Sequence, residues 1–111
     1  MTVEEVVHGD IVVFRLTGEI DVTSAPLMKQ RLEQRVEAPR PRAVVNLDGL
    51  RYIDSAGLGV LVGALNAYAA RGGKLVLAAP RPEVRHILRI TRLIQHFEIH
   101  DAEADAIKAL A

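Results

Sequence analysis

The sequence predicts an α/β fold: one mixed β-sheet, opened by an N-terminal antiparallel hairpin, with helices packed mainly on one face. Three observations carry this expectation. After a first pair of β-branched runs, segments of strand and helix spacing alternate to the end of the chain. Two of the runs, Ala43-Val44-Val45-Asn46-Leu47 and Lys74-Leu75-Val76-Leu77-Ala78, are of strand length and almost wholly apolar, as strands covered on both faces are. The 111 residues also leave room for one core only, so residues 1–111 form a single domain.

Taken in order, Thr2 to Val7 and Ile11 to Thr17 are strands parted by His8-Gly9-Asp10, a composition that suits a hairpin loop with glycine at positive φ. Gly18-Glu19-Ile20-Asp21 is expected to break the second strand. Thr23 or Ser24 then N-caps a helix that takes Pro26 in its first turn and buries Met28, Leu32 and Val36. Pro39-Arg40-Pro41 ends that helix, and Ala43 to Leu47 is the central strand. Leu58, Leu61, Val62, Leu65 and Ala69 recur at helical spacing, which marks Ser55 to Arg71 as a helix closed by Gly72-Gly73. Lys74 to Ala78 is the next strand, and Pro80-Arg81-Pro82 leads into a helix with Val84, Ile87, Leu88 and Thr91 on one face. Phe97 to His100 supplies a short last strand. Asp101 caps a final helix, Ala102 to Leu110, anchored by Ile107 and Leu110. Partners of such sheets meet the loops beyond the carboxyl ends of the strands, here Gly18 to Val22 and Asp48 to Gly57.

Composition narrows the function. Fourteen Lys and Arg balance fourteen Asp and Glu, which removes the basic footprint of a nucleic-acid-binding module and argues against direct nucleic-acid contact. With no cysteine there is no disulfide framework, thiolate metal site or cysteine nucleophile, consistent with a reducing, cytoplasmic setting. The acidic start Met1-Thr2-Val3-Glu4-Glu5 is unlike a secretory signal, and no apolar run approaches the ~18 residues of a membrane span, so no membrane partner is expected.

One segment, Asp48 to Gly59, is dense in residues with positional meaning. Ser55 stands where an N-cap belongs, its hydroxyl placed to accept from the amide of Gly57 or Leu58, a bond of about 1 kcal/mol. The same hydroxyl lies at the positive end of a helix dipole, where an added phosphate is tolerated. Both roles stay open. Gly57 and Gly59 each cost the helix about 1 kcal/mol relative to Ala, which calls either for close internal packing or for approach by another backbone. Asp54 adds a favourable charge beside the cap. Other chemistries fail: Val62 stands where the third glycine of a dinucleotide fingerprint would be, no G-x-S-x-G turn surrounds Ser55, and the four histidines lack metal-ligand spacing. No cofactor or metal is therefore expected. Arg85, Arg89 and Arg92 share one face of a helix, with Arg81 just before it, and suit either an acidic partner or plain solvation.

Asp54-Ser55-Ala56-Gly57-Leu58-Gly59-Val60-Leu61 resembles the signature of the STAS family, specifically the bacterial anti-sigma factor antagonists. Leu16-Thr17-Gly18-Glu19-Ile20-Asp21, Val44-Val45-Asn46-Leu47 and Gly73-Lys74-Leu75-Val76-Leu77 resemble its second strand with the following loop, its central strand and the strand after the signature helix. The resemblance implies a single STAS-like domain that is a phosphorylatable binding protein without catalysis of its own. It further implies that Ser55 is the phosphate acceptor of an anti-sigma factor serine kinase. The unphosphorylated form would bind that kinase and free a sigma factor, and a serine phosphatase acting on phospho-Ser55 would reset the switch. The implied binding residues are Glu19, Asp21, Asp54, Ser55, Ala56, Gly57, Leu58 and Gly59. The family also includes unphosphorylated accessory subunits of lipid-transport ATPase complexes, which leaves a second function open.

Overall fold

The computed structural model covers residues 1–111 and contains five strands and four helices. The strands are β1 (Thr2–His8), β2 (Ile11–Ile20), β3 (Arg42–Ile53), β4 (Lys74–Ala78) and β5 (Ile99–His100). The helices are α1 (Ala25–Glu33), α2 (Ser55–Ala70), α3 (Pro82–Ile90) and α4 (Glu103–Leu110). The sheet order is β1-β2-β3-β4-β5, with β1 antiparallel to β2 and every later pair parallel. The mixed sheet and its opening hairpin follow the sequence expectation, and β3 is the central strand. Gly9 turns the hairpin at φ +61°, a conformation open to glycine without a steric penalty.

Alternation along the strands divides the apolar residues into two layers. Phe14, Leu16, Val45, Leu47, Leu75 and Leu77 point to the face covered by α1, α2 and α3, within a core of 21 buried residues. Because β2 to β5 are laid down in one direction, crossovers of one hand put all three connecting helices on that face. Ile11, Val13, Val44, Val76 and Ala78 point to the other face, where Ala106 and Leu110 of α4 cover them. A polar latch completes the α4 contact: Arg15 donates from Nε and Nη2 to the Glu103 carboxylate (2.9 and 2.8 Å), and Asn46 Nδ2 donates to the same group (2.9 Å).

Several boundaries differ from the sequence expectation. Residues 18–20 continue β2, and residues 48–53 continue β3, because these two stretches pair with each other beyond the end of β4 through register shifts between Arg15 and Thr17 and between Gly18 and Glu19. Val36 lies past the end of α1, and only Ala25, Met28 and Leu32 are buried from that helix. Along α2 the buried positions are Gly57, Leu58, Leu61, Ala64 and Tyr68, while Ala69 is exposed. Tyr68 is fully buried, and its hydroxyl donates to the Leu32 carbonyl at 2.8 Å, which binds α2 to α1. Thr91 is the exposed C-cap of α3, its Oγ1 donating to Ile87 O (2.8 Å). Asp101 does not cap α4; it is exposed and pairs with Arg85 at 3.5 Å, and Ala106 rather than Ile107 is the second buried anchor beside Leu110. The last strand is shortened to two residues.

Candidate functional site

The parallel pairing of β2 with β3 runs to the final residue of each, Ile20 opposite Ile53. Asp54 N then donates to Ile20 O at 3.1 Å, so the segment entering α1 and the segment entering α2 leave the sheet side by side. This brings together the carboxyl-terminal parts of the two stretches singled out in the sequence, Gly18 to Val22 and Asp48 to Gly59.

The start of α2 is organised by Asp54. In place of the Ser55 cap read from sequence, Asp54 is the N-cap: its extended backbone (φ −97°, ψ −175°) lets Oδ1 accept from Gly57 N at 3.1 Å. Its carbonyl accepts from Leu58 N at 2.9 Å. Of the four amides that the helix start leaves open, that of Gly57 is satisfied by the Asp54 carboxylate and that of Asp54 by Ile20 O, and those of Ser55 and Ala56 remain without a partner in the chain. Ser55 is the first helical residue. It is exposed, and its hydroxyl is bonded to nothing.

The two glycines have different reasons. A Cβ on Gly57 would stand 2.6 Å from Ile53 Cγ1 and 2.7 Å from Ile20 Cγ2, so its missing side chain lets the helix start press onto the ends of β2 and β3. Internal packing accounts for Gly57. Gly59 is exposed and a Cβ there meets nothing within 4 Å; the same holds for Gly63 one turn further on. With Ala56, Val60 and Ala64 these two line a cleft of about 350 Å³ against Lys29 and Glu33 of α1. Leu58 is buried in the core, and Ala56 is partly buried against it.

On the neighbouring segment Asp21 organises the start of α1. Its Oδ1 accepts from the amides of Thr23 (3.0 Å) and Ser24 (3.1 Å) and from Thr23 Oγ1 (2.6 Å), while Asp21 N donates to Ser24 Oγ (2.9 Å). The Thr23 hydroxyl, with the amides, holds this carboxyl below its ordinary range. Ser24 is the N-cap residue of α1, one of the two positions expected, but it makes no side-chain bond into the helix; its hydroxyl and that of Thr23 serve Asp21 instead. Glu19 is exposed beside Tyr52 in the register. Sequence reasoning missed two apolar side chains at this end of the sheet: Val22 is 70% exposed and Tyr52 46% exposed. Their isolation among polar neighbours, Asp21-Val22-Thr23 and Arg51-Tyr52, was the available signal. No three of His, Asp and Glu converge as metal ligands, and no helix is long and apolar enough to cross a membrane.

The site is thus an exposed hydroxyl at the start of a helix, on a small α/β domain built around one mixed sheet. The chain belongs to the STAS domain family, whose model matches residues 2–106. It is 26% identical to the anti-sigma F factor antagonist of Paenibacillus polymyxa over 104 residues, which span 93% of this chain and 89% of the relative. It is 35% identical to the anti-sigma-B factor antagonist of Listeria monocytogenes over 98 residues, spanning 88% and 83%. Among solved structures, an anti-sigma factor antagonist from Mycobacterium paratuberculosis superposes with a TM-score of 0.87 at 26% identity, covering 98% of this chain and 92% of the other.

Proposed function

We propose that this chain is an anti-sigma factor antagonist of the cytoplasm, switched by phosphorylation of Ser55. In the unmodified state the surface around Ser55 binds an anti-sigma factor that is also a serine kinase, and the sigma factor is released. Phosphate on Ser55 ends the complex, and a phosphatase restores it.

The observation that carries this reading is the free Ser55 hydroxyl, held at a rigid helix start beside two unbonded amides. The relatives named above support the partner class. A kinase must reach the acceptor oxygen, and here Asp54 performs the capping, so the hydroxyl is free to be modified without loss of the cap. The added phosphate is tolerated by the fold because it meets the positive end of the α2 dipole. A partner packed over Ser55, Ala56 and the open side of Gly59 is not so tolerant. Taking 1.5 added charges ~6 Å from one partner carboxylate at an effective dielectric constant of ~20 gives about 4 kcal/mol, nearly a thousandfold in affinity. Glu19, Asp21 and Asp54 already place negative charge on the segments around the acceptor, to which the phosphate adds, while Gly57 and Leu58 act from below by fixing the helix start.

Competition tests the reading. Unmodified chain added to a preformed complex of sigma factor and anti-sigma kinase should release the sigma factor, and chain carrying phosphate on Ser55 should not. Equal release by both forms would overturn the switch.

A further inference from the structure

The largest cavity lies at the opposite end of the sheet from Ser55, where three loops meet: the β1–β2 turn, the α1–β3 connection and the α2–β4 connection. It measures about 830 Å³, within the ordinary range for small-ligand pockets. Its lining is unusual for this chain of zero net charge. Arg35, Arg40, Arg42 and Lys74 face it with Asp10 as the one carboxylate.

Those cations are incompletely neutralised. Arg42 pairs with Asp10 at 3.3 Å and Lys74 with Glu98 at 2.6 Å, but Arg35 shares the single carboxylate of Glu5 with Arg31. Arg40 has no acidic partner and makes no side-chain hydrogen bond. It is also held in an unfavourable conformation: φ is +50°, a left-handed value that a non-glycine residue adopts at a cost, here between Pro39 and Pro41. The surroundings keep it there. Lys74 N donates to Pro41 O at 2.8 Å, a Cβ on Gly73 would stand 1.8 Å from Pro41 O, and a Cβ on Gly72 would sit 3.9 Å from Arg40 Cγ. Two loops are thus locked together so that an unpaired guanidinium lies along the cleft.

We propose that this cleft binds a small oligophosphate anion, with Arg40 as its principal ligand and Arg35, Arg42 and Lys74 supplying further donors. A guanidinium offers five N–H donors in a planar fork, of which those of Arg40 are all free, and that fork matches phosphate oxygens. Four cations set around one carboxylate favour an anionic ligand over an uncharged one. The site is independent of Ser55 and leaves the α2 surface unobstructed.

Titration of the full chain with inorganic pyrophosphate at constant ionic strength, followed by amide NMR, tests this. Saturable shifts are expected at Gly9, Arg40, Gly72, Gly73 and Lys74, with none at Ser55 to Gly57. Arg40→Gly removes the guanidinium and suits the left-handed backbone, so it should weaken pyrophosphate binding about tenfold, as expected for one charge-assisted contact, with an unchanged or higher melting temperature. A non-saturable response, shifts centred on the α2 start, or unaltered affinity in Arg40→Gly would overturn the proposal.

Discussion

Replacing Gly57 and Gly59 separately by alanine should move stability in opposite directions, although both changes add one methyl group to the same helix. At Gly57 the new Cβ would lie 2.6 and 2.7 Å from Cγ atoms of Ile53 and Ile20. These atoms are attached directly to the branched Cβ of fully buried strand residues, whose χ1 freedom is restricted, and cannot swing aside. Overpacking of this kind costs about 2 to 3 kcal/mol, offset by about 1 kcal/mol of helix propensity, for a net loss of about 1 to 2 kcal/mol. At Gly59 the Cβ meets nothing, so only the propensity gain of about 0.5 to 1 kcal/mol remains. For a domain of this size 1 kcal/mol corresponds to about 4 °C, so thermal unfolding by circular dichroism should place Gly57→Ala about 4 to 8 °C below the parent and Gly59→Ala about 2 to 4 °C above it. Gly57→Ala melting at or above the parent would refute the packing argument, and a clear loss in Gly59→Ala would show that its exposed side is occupied within the fold.

Three further outcomes are expected. Ser55→Ala should leave stability within about 0.5 kcal/mol of the parent, as for a surface substitution, whereas Asp54→Ala should cost about 1 kcal/mol as the true cap; chemical denaturation of the pair decides between them. Tyr68→Phe should cost about 1 to 2 kcal/mol by leaving the buried Leu32 carbonyl without its donor, read in the same assay. Glu103, held at about 2 by Arg15 and then Asn46 against an ordinary value of 4.5, stabilises the fold fully above pH ~5, and this contribution fades as the pH falls towards 2. With Arg15 42% exposed, solvent screening reduces the effect to about 1 to 2 kcal/mol, and Glu103→Gln should flatten that part of the stability curve between pH 5 and 2.

The order of strands and helices was legible because the hydrophobic period changes at each boundary, and the core of α2 was found to within a small rotation. The rotation is what hid Tyr68: the buried stripe runs through 57, 61, 64 and 68, whereas the spacing read from sequence followed 58, 61, 62, 65 and 69. The lengths of β2 and β3 were not legible, since Gly18-Glu19 and Asp48-Gly49 carry turn composition and are held in the sheet only by pairing with each other. The start of α2 was placed correctly but with the cap one residue late. Ser and Asp are equally good caps, and only the extended backbone of Asp54 distinguishes them. Likewise, sequence offered Asp101 as a cap with no means of showing that Arg85 engages it.

The central claim is that one hydroxyl, Ser55, governs partner binding. The most direct test treats the chain with ATP and its anti-sigma serine kinase, locates the phosphate by mass spectrometry, and measures the affinity of the modified and unmodified forms for that kinase by calorimetry. The expected result is phosphate on Ser55 alone and a loss of affinity approaching a thousandfold, as the charge estimate requires. Phosphate on Thr23, Ser24 or another hydroxyl with Ser55 unmodified, or affinity unchanged by phosphate on Ser55, would contradict it.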